Sequence, residues 1–388
     1  MIRDFSGQAL FAGLLAAIVG FASSFPVVID GLRGVGASSA EAASGLMAVS
    51  IAMGLCGLYL SLRTRLPISV AWSTPGAAVL ATAPTMPGGF SDAVGAFIVS
   101  GALIVISGLW KPLGRWVAAI PAPLANAMLA GVLFPFCLAP VFAVAEVPFM
   151  ALPILAVWMA MMRLRRLFAM PVTVVAAVVV VVLVSGEGAG LDAAAVTTPV
   201  IILPSFSLAA VVSIAVPLFI VTMASQNIPG VAVLNANGYQ PDPAPLFRDT
   251  GMFSILAAPF GGHNVNLAAI TASMCAGSDA HPQPGRRYWA AAMSGVFYVF
   301  FGVLAGLVVA VAGLAPPVIV TAVAGLALLG AFGISIRNAV EDPKDREAAL
   351  VTFLAAASGV SFLGVGGTFW GLVAGWVVYV LMRFRRSA

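Results

Sequence analysis

Charged residues are scarce in this chain, and their scarcity decides its class. Only 8% of its 388 residues are Asp, Glu, Lys or Arg, whereas a soluble globular domain carries about 25%. Hydrophobic residues make up 61%, and the mean hydropathy is +1.08. These values exclude a soluble enzyme or binding domain and indicate an all-α polytopic membrane protein. Because one span takes roughly 20 apolar residues, the chain has room for about 14 transmembrane segments and no separate soluble domain.

Cysteine and histidine are also rare. The chain has three cysteines and two histidines, and Cys56, Cys137 and Cys275 fall in apolar segments without metal-ligand spacing. This pattern favours neither a disulfide framework nor a zinc site. A phosphate-binding loop, a zinc-protease motif and a recognisable Ser/His/Asp set are missing too. We therefore expect no enzyme activity, no cofactor, no metal and no ATP-driven pumping by this chain.

Hydropathy and helix-breaking residues place the predicted spans. Those of the first half lie near 7–29, 38–62, 68–82, 91–110, 119–140, 147–163 and 170–185. Those of the second half lie near 206–230, 248–260, 263–277, 288–313, 316–334, 347–363 and 366–382. The apolar stretch after Met1–Gly7 is about 23 residues long, which exceeds a signal-peptide core, so we expect it to remain as the first span. The third and tenth spans are conspicuously short.

The distribution of positive charge supports this count. With a cytoplasmic N-terminus, all of the 18 Lys and Arg residues except Arg33 fall at cytoplasmic span ends, as the positive-inside rule requires. We predict a multi-pass protein of the bacterial inner membrane with both termini cytoplasmic. The net charge of +4 then reflects orientation in the membrane, and no nucleic-acid partner is expected.

An equal division of the spans predicts an inverted repeat. About 14 spans give two halves of seven, and an odd number makes the halves oppositely oriented. The halves are residues 1–195 and 196–388, joined by a polar linker at Ser185–Leu203 that contains Glu187 and Asp192. The short spans occupy the same ordinal position in each half. Matching interrupted segments are a sequence indicator of a transporter binding site.

Local signals predict that the third span is a short strand followed by a half-helix. Residues 68–72 favour an extended strand. Ser73 or Thr74, followed by Pro75, is a good N-cap and first-turn combination. A half-helix should therefore begin near Pro75.

The tenth span is expected to fold in the same way. It opens with Gly261 and Gly262, and Asn264 or Asn266 is predicted to cap a half-helix that continues through residues 267–271. In an inverted repeat the two half-helix N-termini should face each other near the membrane midplane. Each carries roughly half a positive elementary charge and unpaired N–H groups, so the gap between them suits a small anion.

Three strings of residues carry a resemblance to a known family. They are Ser225–Tyr239, Gly261–Asn266 and Ala71–Gly76. With them, nearly the whole chain resembles the bacterial benzoate/proton symporters, which in turn are similar in fold to the uracil/proton symporters and related anion carriers. The resemblance implies import of benzoate, or of a similar small aromatic carboxylate, together with a proton by elevator-like alternating access. It also implies a homodimer as the expected assembly.

The same resemblance implies a division into a core and a gate. The core parts of the two repeats are residues 1–118 and 196–314, which hold spans 1–4 and 8–11. The gate parts are residues 119–195 and 315–388, which hold spans 5–7 and 12–14. The substrate is expected between spans 3 and 10.

Two positions depart from the uracil carriers, which have acidic residues on the eighth and tenth spans. The matching positions here are Gln226 and His263. A neutral amide and an imidazole suit an anionic substrate, because buried carboxylates would repel it. This difference favours benzoate over a neutral nucleobase.

His263 is the predicted proton-coupling residue. No acidic residue is predicted at the midplane, and the reference pKa of histidine is about 6.5, so a modest change of environment loads or unloads a proton. Burial disfavours the imidazolium ion whereas a bound carboxylate favours it, so anion and proton should promote each other's binding. The alternative is a neutral histidine that only ties helices together.

The candidate substrate-binding residues come from spans 1, 3, 8 and 10. They are Ser23, Ser24, Phe25, Trp72, Ser73, Thr74, Pro75, Gln226, Asn227, Gly262, His263, Asn264 and Asn266. Structural alternatives remain for several of them. Pro26 could simply kink the first span, with serine hydroxyls satisfying the freed carbonyl. Trp72 could be a packing residue, and the two span-8 amides could be interhelical hydrogen-bonding groups worth about 0.6 kcal/mol.

Two other functional classes remain open on sequence alone. One is a carrier of the same fold for another anion or a nucleobase, or a passive anion channel. The other is a membrane sensor or scaffold that transports nothing, for which neither paired half-helices nor a midplane histidine is needed.

Overall fold

The computed structural model describes residues 6–110, 112, 120–185, 197–268, 271–362 and 365–384. Helices make up most of them, as predicted, and two short pairs of strands interrupt the helices. The predicted linker residues Glu187 and Asp192 lie outside the described residues.

The first half begins with two long helices and then the interrupted third segment. Its elements are α1 (Gly7–Gly34), α2 (Ser39–Thr64), β1 (Val70–Trp72), α3 (Thr74–Ala81), α4 (Phe90–Leu109), α5 (Ala122–Glu146), α6 (Pro148–Leu164) and α7 (Ala169–Ser185). Polar caps start the first two helices. Ser6 Oγ accepts a hydrogen bond from Ala9 N at 3.1 Å, and Ser38 and Glu41 form a capping box, which satisfies two N-terminal donors reciprocally.

The second half repeats the placement of a short strand before a short helix. Its elements begin with α8 (Leu208–Ala236). They continue with α9 (Pro243–Ala257), β2 (Val265–Leu267), α10 (Ala272–Ala276), α11 (Tyr288–Val303), α12 (Ala305–Leu314), α13 (Pro317–Val340), α14 (Arg346–Ala357), β3 (Ser361–Phe362), β4 (Val365–Gly366) and α15 (Gly367–Phe384). The predicted eleventh span is bent, because α11 and α12 meet at an angle of 56°.

Several helices are long and apolar enough to cross a membrane. The described residues contain seven such helices, or eight when the bent pair of α11 and α12 is counted as one span. Two shorter apolar helices are α6 and residues Gly367–Arg383 of α15. The protein is therefore a multi-pass membrane protein. The count of 14 spans and the inverted repeat stay predictions.

Helix α8 contains two π-helical turns, and each lies just before a proline. The first covers Val211–Ala215 ahead of Pro217, and the second covers Met223–Asn227 ahead of Pro229. A proline lacks the N–H of the helical ladder, and its ring clashes with the carbonyl four residues earlier. A shift to five-residue spacing relieves that clash. Such π-turns occur frequently at functional sites, and the second one contains Gln226.

Small residues let α2 and α11 approach at backbone distance. A Cβ added to Gly54 would lie 2.5 Å from Gly295 O, and one added to Gly295 would lie 2.5 Å from Gly54 O. Close helix contact through glycine is typical of membrane interiors. Helix α2 in turn packs against the two central strands, whose residues Trp72 and Val265 are no more than 2% exposed.

Candidate functional site

The two short strands β1 and β2 pair inside the helices. The antiparallel register joins Val70 with Leu267, Ala71 with Asn266 and Trp72 with Val265. The backbone ladder continues at both ends, because Ser73 N donates to Asn264 O and Ala268 N donates to Ser69 O, each at 2.9 Å. Non-helical backbone is tolerated at membrane depth only where protein covers it or a cavity adjoins it.

Side chains from two helices close the outer edge of β2. Asn227 Oδ1 on α8 accepts a hydrogen bond from Leu267 N at 2.9 Å, and Ser254 Oγ on α9 accepts one from Val265 N at 2.8 Å. An open sheet edge in a bilayer leaves backbone groups without partners. Asn227, predicted as a substrate-binding residue, supports the strand in this conformation.

Half-helix α3 begins as the sequence predicts. Ser73 is its N-cap, since Ser73 Oγ accepts from Gly76 N at 3.1 Å and Ser73 O accepts from Ala77 N at 2.8 Å. Pro75 in the first turn has no N–H. A helix N-terminus ordinarily has four N–H groups without a partner in the helix. Among the described residues, the N–H of Thr74 is the one left without a partner here. The Ser73 hydroxyl also accepts from Thr222 Oγ1 on α8 at 2.8 Å.

The tenth segment departs from the sequence prediction. Asn266 and Leu267 belong to strand β2, so the expectation that Asn264 or Asn266 caps a half-helix is wrong. Their backbone forms the antiparallel pairing with β1 and is therefore extended. Helix α10 begins only at Ala272 and has five residues. Residues 269 and 270 lie outside the described residues. The sequence predicts two opposed half-helix N-termini, whereas among the described residues of the two segments only α3 is long enough to act as one.

A small cavity of about 40 Å³ adjoins the strand crossing. Its lining comes from α1, α2, β1, α3, α8, α11 and the segment after β2. The lining residues are Gly20, Ser23, Ser24, Met53, Ala71, Trp72, Thr74, Gln226, Ala268, Thr271 and Tyr298. None of them is acidic or basic. One water molecule needs about 10–15 Å³ of such space, so the cavity has room for about three.

The carboxamide of Gln226 is the main polar group of the lining without a hydrogen-bond partner in the described part of the chain. Its side chain is 8% exposed, and no hydrogen bond joins its carboxamide to another of the described residues. Thr74 and Thr271, which each carry a hydroxyl, also line the cavity. An amide and hydroxyls can donate hydrogen bonds to an anion without bringing a competing negative charge.

The two serines of α1 already form hydrogen bonds within the protein. Ser23 Oγ and Ser24 Oγ both donate to Gly20 O, at 3.2 and 3.1 Å. They do not bond to Ala22 O, the carbonyl four residues before Pro26, so the suggested compensation at Pro26 is wrong. Ser24 Oγ also accepts from Trp72 Nε1 at 2.8 Å. The Trp72 indole N–H is thereby satisfied, and the ring forms part of the cavity wall.

His263 lies outside the cavity lining, behind the N-cap of α3. It is fully buried, and its Nε2 lies 3.2 Å from Ser73 O. A carbonyl only accepts, so Nε2 carries the hydrogen and Nδ1 carries the lone pair. Nδ1 has no hydrogen-bond partner among the described residues. The ring packs edge-on against Phe97, with centroids 6.5 Å apart.

The neighbouring asparagines also face the protein interior. Asn264 Nδ2 donates to Ser100 Oγ on α4 at 2.6 Å, and Asn266 Nδ2 donates to Leu267 O at 2.8 Å. Both side chains are fully buried. Gly262 packs tightly, because an added Cβ would lie 2.8 Å from Ala257 Cβ. None of the three lines the cavity in this conformation.

Phe25 lines a second cavity, of about 330 Å³, on the other side of α1. Its walls are apolar side chains of α1, α7, α12 and α13, together with Ala315. Phe21 lies between the two cavities: its ring centroid is 5.8 Å from that of Phe25 and 5.3 Å from that of Trp72.

The structure thus brings together Ser23, Ser24, Trp72, Thr74 and Gln226 from the predicted set. Ser73, Pro75 and Asn227 are sequence neighbours of lining residues but do not line the cavity themselves. The roles of all candidates stay predictions. Sequence analysis missed Tyr298 and Thr271. Thr271 falls at the end of the predicted half-helix 267–271, and nothing in the apolar surroundings of Tyr298 distinguishes that tyrosine. The described residues contain no group of three or more His, Cys, Asp or Glu that could hold a metal.

The fold has counterparts among solved anion transporters. The transmembrane domain of the cyanobacterial bicarbonate transporter BicA matches with a TM-score of 0.58 at 14% identity, covering 98% of each chain. The structure of SLC26A9 matches with a TM-score of 0.66 at 12% identity, covering all of this chain and 66% of that one. At these identities the likeness shows the fold alone.

Sequence comparisons give the family. The chain is 40% identical over 380 residues to inner membrane protein YdcO of Escherichia coli (strain K12), covering 96% of this chain and 95% of that protein. It is 32% identical over 381 residues to the benzoate membrane transport protein of Acinetobacter baylyi, covering 98% and 96%. The family model described as "Benzoate membrane transport protein" matches residues 3–381. The expectation that the chain is a transport protein and not an enzyme is confirmed, and the chain belongs to the benzoate membrane transport family.

Proposed function

We propose that this protein imports benzoate, or a similar small aromatic carboxylate, together with a proton by alternating access. The observation that carries the proposal is the cavity at the strand crossing, whose lining offers amide and hydroxyl donors but no acidic side chain. The carboxylate is expected at Gln226 and Thr74. The aromatic ring is expected against Trp72, because the indole N–H of Trp72 is already bonded to Ser24 Oγ and its flat ring is left for stacking.

The size of the cavity supports a moving carrier. A benzoate ion is much larger than the about three water molecules that fit, so binding requires the walls to separate. A passive channel needs a continuous path, whereas a carrier of this kind occludes its site between two openings. The bonds from α8 to Ser73 and Leu267 would let α3, β2 and α8 move together.

The architecture proposed for this movement is the inverted repeat of seven plus seven spans. Residues 1–118 and 196–314 form the core, and residues 119–195 and 315–388 form the gate. Support comes from the crossing of β1, from the first half, with β2, from the second. We further propose cytoplasmic termini, placement in the inner membrane and a homodimer.

His263 is the proposed proton site. Its bare Nδ1 is buried without a described partner, and its Nε2–H holds the carbonyl of Ser73, the residue before Thr74 of the cavity wall. A proton at Nδ1 would place a positive charge behind the N-cap of α3, where it would favour the proposed carboxylate at Thr74. An unpaired buried charge is costly. The carrier without substrate would therefore return with His263 neutral, and the carrier with substrate would cross with the carboxylate and the imidazolium balancing each other's charge.

The experiment is uptake of labelled benzoate by liposomes that contain the purified protein, with the membrane potential clamped. We expect accumulation when the outside is acidic relative to the lumen, and only equilibration without a pH gradient. Excess unlabelled benzoate should compete, whereas uracil and bicarbonate should not. Competition by uracil, or accumulation that ignores the pH gradient, would contradict the proposal.

A further inference from the structure

The hydroxyl of Tyr298 lies against Gly20, at the wall of the polar cavity, in space that the missing side chain of Gly20 leaves open. Tyr298 lies on α11 and is 2% exposed, and both residues line the cavity. A Cβ added to Gly20 would lie only 2.1 Å from Tyr298 Oη. Every side chain larger than glycine at position 20 would therefore displace the hydroxyl.

The present hydrogen bond of this hydroxyl is long. Tyr298 Oη donates to Ala16 O on α1 at 3.3 Å, whereas O–H···O hydrogen bonds cluster near 2.7–2.8 Å. Thr271, another lining residue, also interacts with the Tyr298 hydroxyl. Because Thr271 bonds to the oxygen of this hydroxyl and its proton is donated only over the long contact to Ala16 O, the O–H can turn to a better acceptor at little cost.

A carboxylate is such an acceptor. Hydrogen bonds to an ionised oxygen are shorter and roughly twice as strong as neutral ones. The cavity has no cationic side chain in its lining, so neutral donors must hold the anion in a site away from bulk water. Gln226 on α8 and Tyr298 on α11 offer donors from two different helices.

We propose that Tyr298 is a specificity-determining residue whose hydroxyl donates a hydrogen bond to the carboxylate of the bound substrate, in a position that Gly20 keeps open. This inference rests on the proposed function and adds to it a residue that the sequence motifs do not contain. It explains why a glycine of α1 faces a tyrosine of α11 at the cavity wall.

The test compares ligand binding to the full-length protein in detergent by isothermal titration calorimetry. Probes are benzoate, benzamide, acetate and bicarbonate. Tyr298→Phe keeps the ring and removes only the hydroxyl. We expect the Kd for benzoate to rise about 10- to 100-fold, as for loss of a hydrogen bond to a charged group, with a smaller change for the neutral analogue benzamide. Gly20→Ala should weaken benzoate binding similarly, because it moves the hydroxyl without deleting it.

The matched control is Tyr239→Phe. The Tyr239 hydroxyl also donates to a backbone carbonyl, Pro284 O at 3.0 Å, but Tyr239 is not part of the cavity lining. Binding to this variant should equal that of the wild type. Melting temperatures of all variants separate lost contacts from lost folding.

The outcomes distinguish the two proposals. If wild-type protein binds acetate or bicarbonate but not benzoate, the proposed substrate is wrong, and Tyr298→Phe is then tested on the anion that binds. If the wild type binds benzoate and Tyr298→Phe binds it equally well, the role of Tyr298 is refuted while the proposed function stands. If the wild type binds none of the probes, both are overturned. A lower melting temperature with unchanged Kd would make Tyr298 a structural tie between α11 and α1.

Discussion

The side-chain oxygen of Asn227 lies 2.9 Å from the backbone nitrogen of Leu267, where the carbonyl of a third strand would otherwise be. An amide on α8 thus completes a two-stranded sheet inside a membrane protein. The next residue back, Gln226, lines the cavity. The π-turn that contains both lets one side chain support the strand while its neighbour faces the ligand space.

Replacing Asn227 by Leu should destabilise the protein. Leucine has a similar size but no acceptor, so the buried N–H of Leu267 loses its partner, at a cost of about 1–3 kcal/mol. A thermal melt in detergent measures this loss. Asn237→Leu is the control, because among the described residues that amide bonds only Val233 O, near the end of α8. Equal melting temperatures for the two variants would contradict the supporting role of Asn227.

Replacing Gln226 by Glu should block anion binding near neutral pH. The shape is kept, but a carboxylate about 4 Å from the substrate carboxylate repels it by about 4 kcal/mol at an effective dielectric constant of 20. We therefore expect benzoate Kd to rise by a factor on the order of 10²–10³. Acidification should restore part of the binding, because it protonates the introduced carboxyl group.

Gln283→Glu provides the matched control for this substitution. Gln283 lies in an exposed loop, so the same chemical change there should leave benzoate binding unaltered. Undiminished binding by Gln226→Glu at pH 7 would place the carboxylate site elsewhere.

A hydrogen bond joins the proposed core to the proposed gate. Thr321 Oγ1 on α13 donates to Asp30 Oδ2 on α1 at 3.0 Å. Thr321→Val removes the donor without changing the size of the side chain. The conformation seen here should then lose stability relative to the other conformations of the proposed alternating-access cycle. Bonds to charged groups contribute about 1.5–3 kcal/mol. We expect faster hydrogen–deuterium exchange at the start of α13 than in wild-type protein.

Thr173→Val is the control for the Asp30 contact. In the described part of the chain the Thr173 hydroxyl bonds only Ala169 O, within α7, so its loss should not alter exchange in α13. If the two variants exchange identically, the Asp30–Thr321 bond does not hold the core against the gate.

Replacing His263 by Gln should uncouple transport from the proton. Glutamine can still donate to Ser73 O, but it cannot take up a proton. We expect benzoate counterflow to persist while accumulation under a pH gradient falls to equilibration. His281→Gln, in a loop after α10, should behave as wild type. Gradient-driven accumulation by His263→Gln would rule out His263 as the coupling residue.

The sequence predicts the third segment well because its signals are local. Ser73 and Pro75 specify a cap and a first turn by their own chemistry, and the residues before them favour a strand. The structure shows this strand and half-helix at β1 and α3. The membrane class likewise follows from composition alone.

The tenth segment was harder to predict because its conformation depends on a distant partner. Asn264 and Asn266 are good helix caps in isolation, yet pairing with residues 71–73 makes them extended. The contribution of Tyr298 to the cavity is equally non-local, since it depends on helix α1 presenting Gly20 to it. Neither relationship leaves a pattern in the surrounding sequence.

The most direct measurement is a structure of the protein with bound 4-bromobenzoate, in which the anomalous scattering of bromine locates the ring. We expect the carboxylate within hydrogen-bonding distance of Gln226 and Thr74, with the ring against Trp72, in a cavity larger than the one of about 40 Å³ seen here. Bromine found only in the apolar cavity beside Phe25, with the strand crossing unchanged, would contradict this placement.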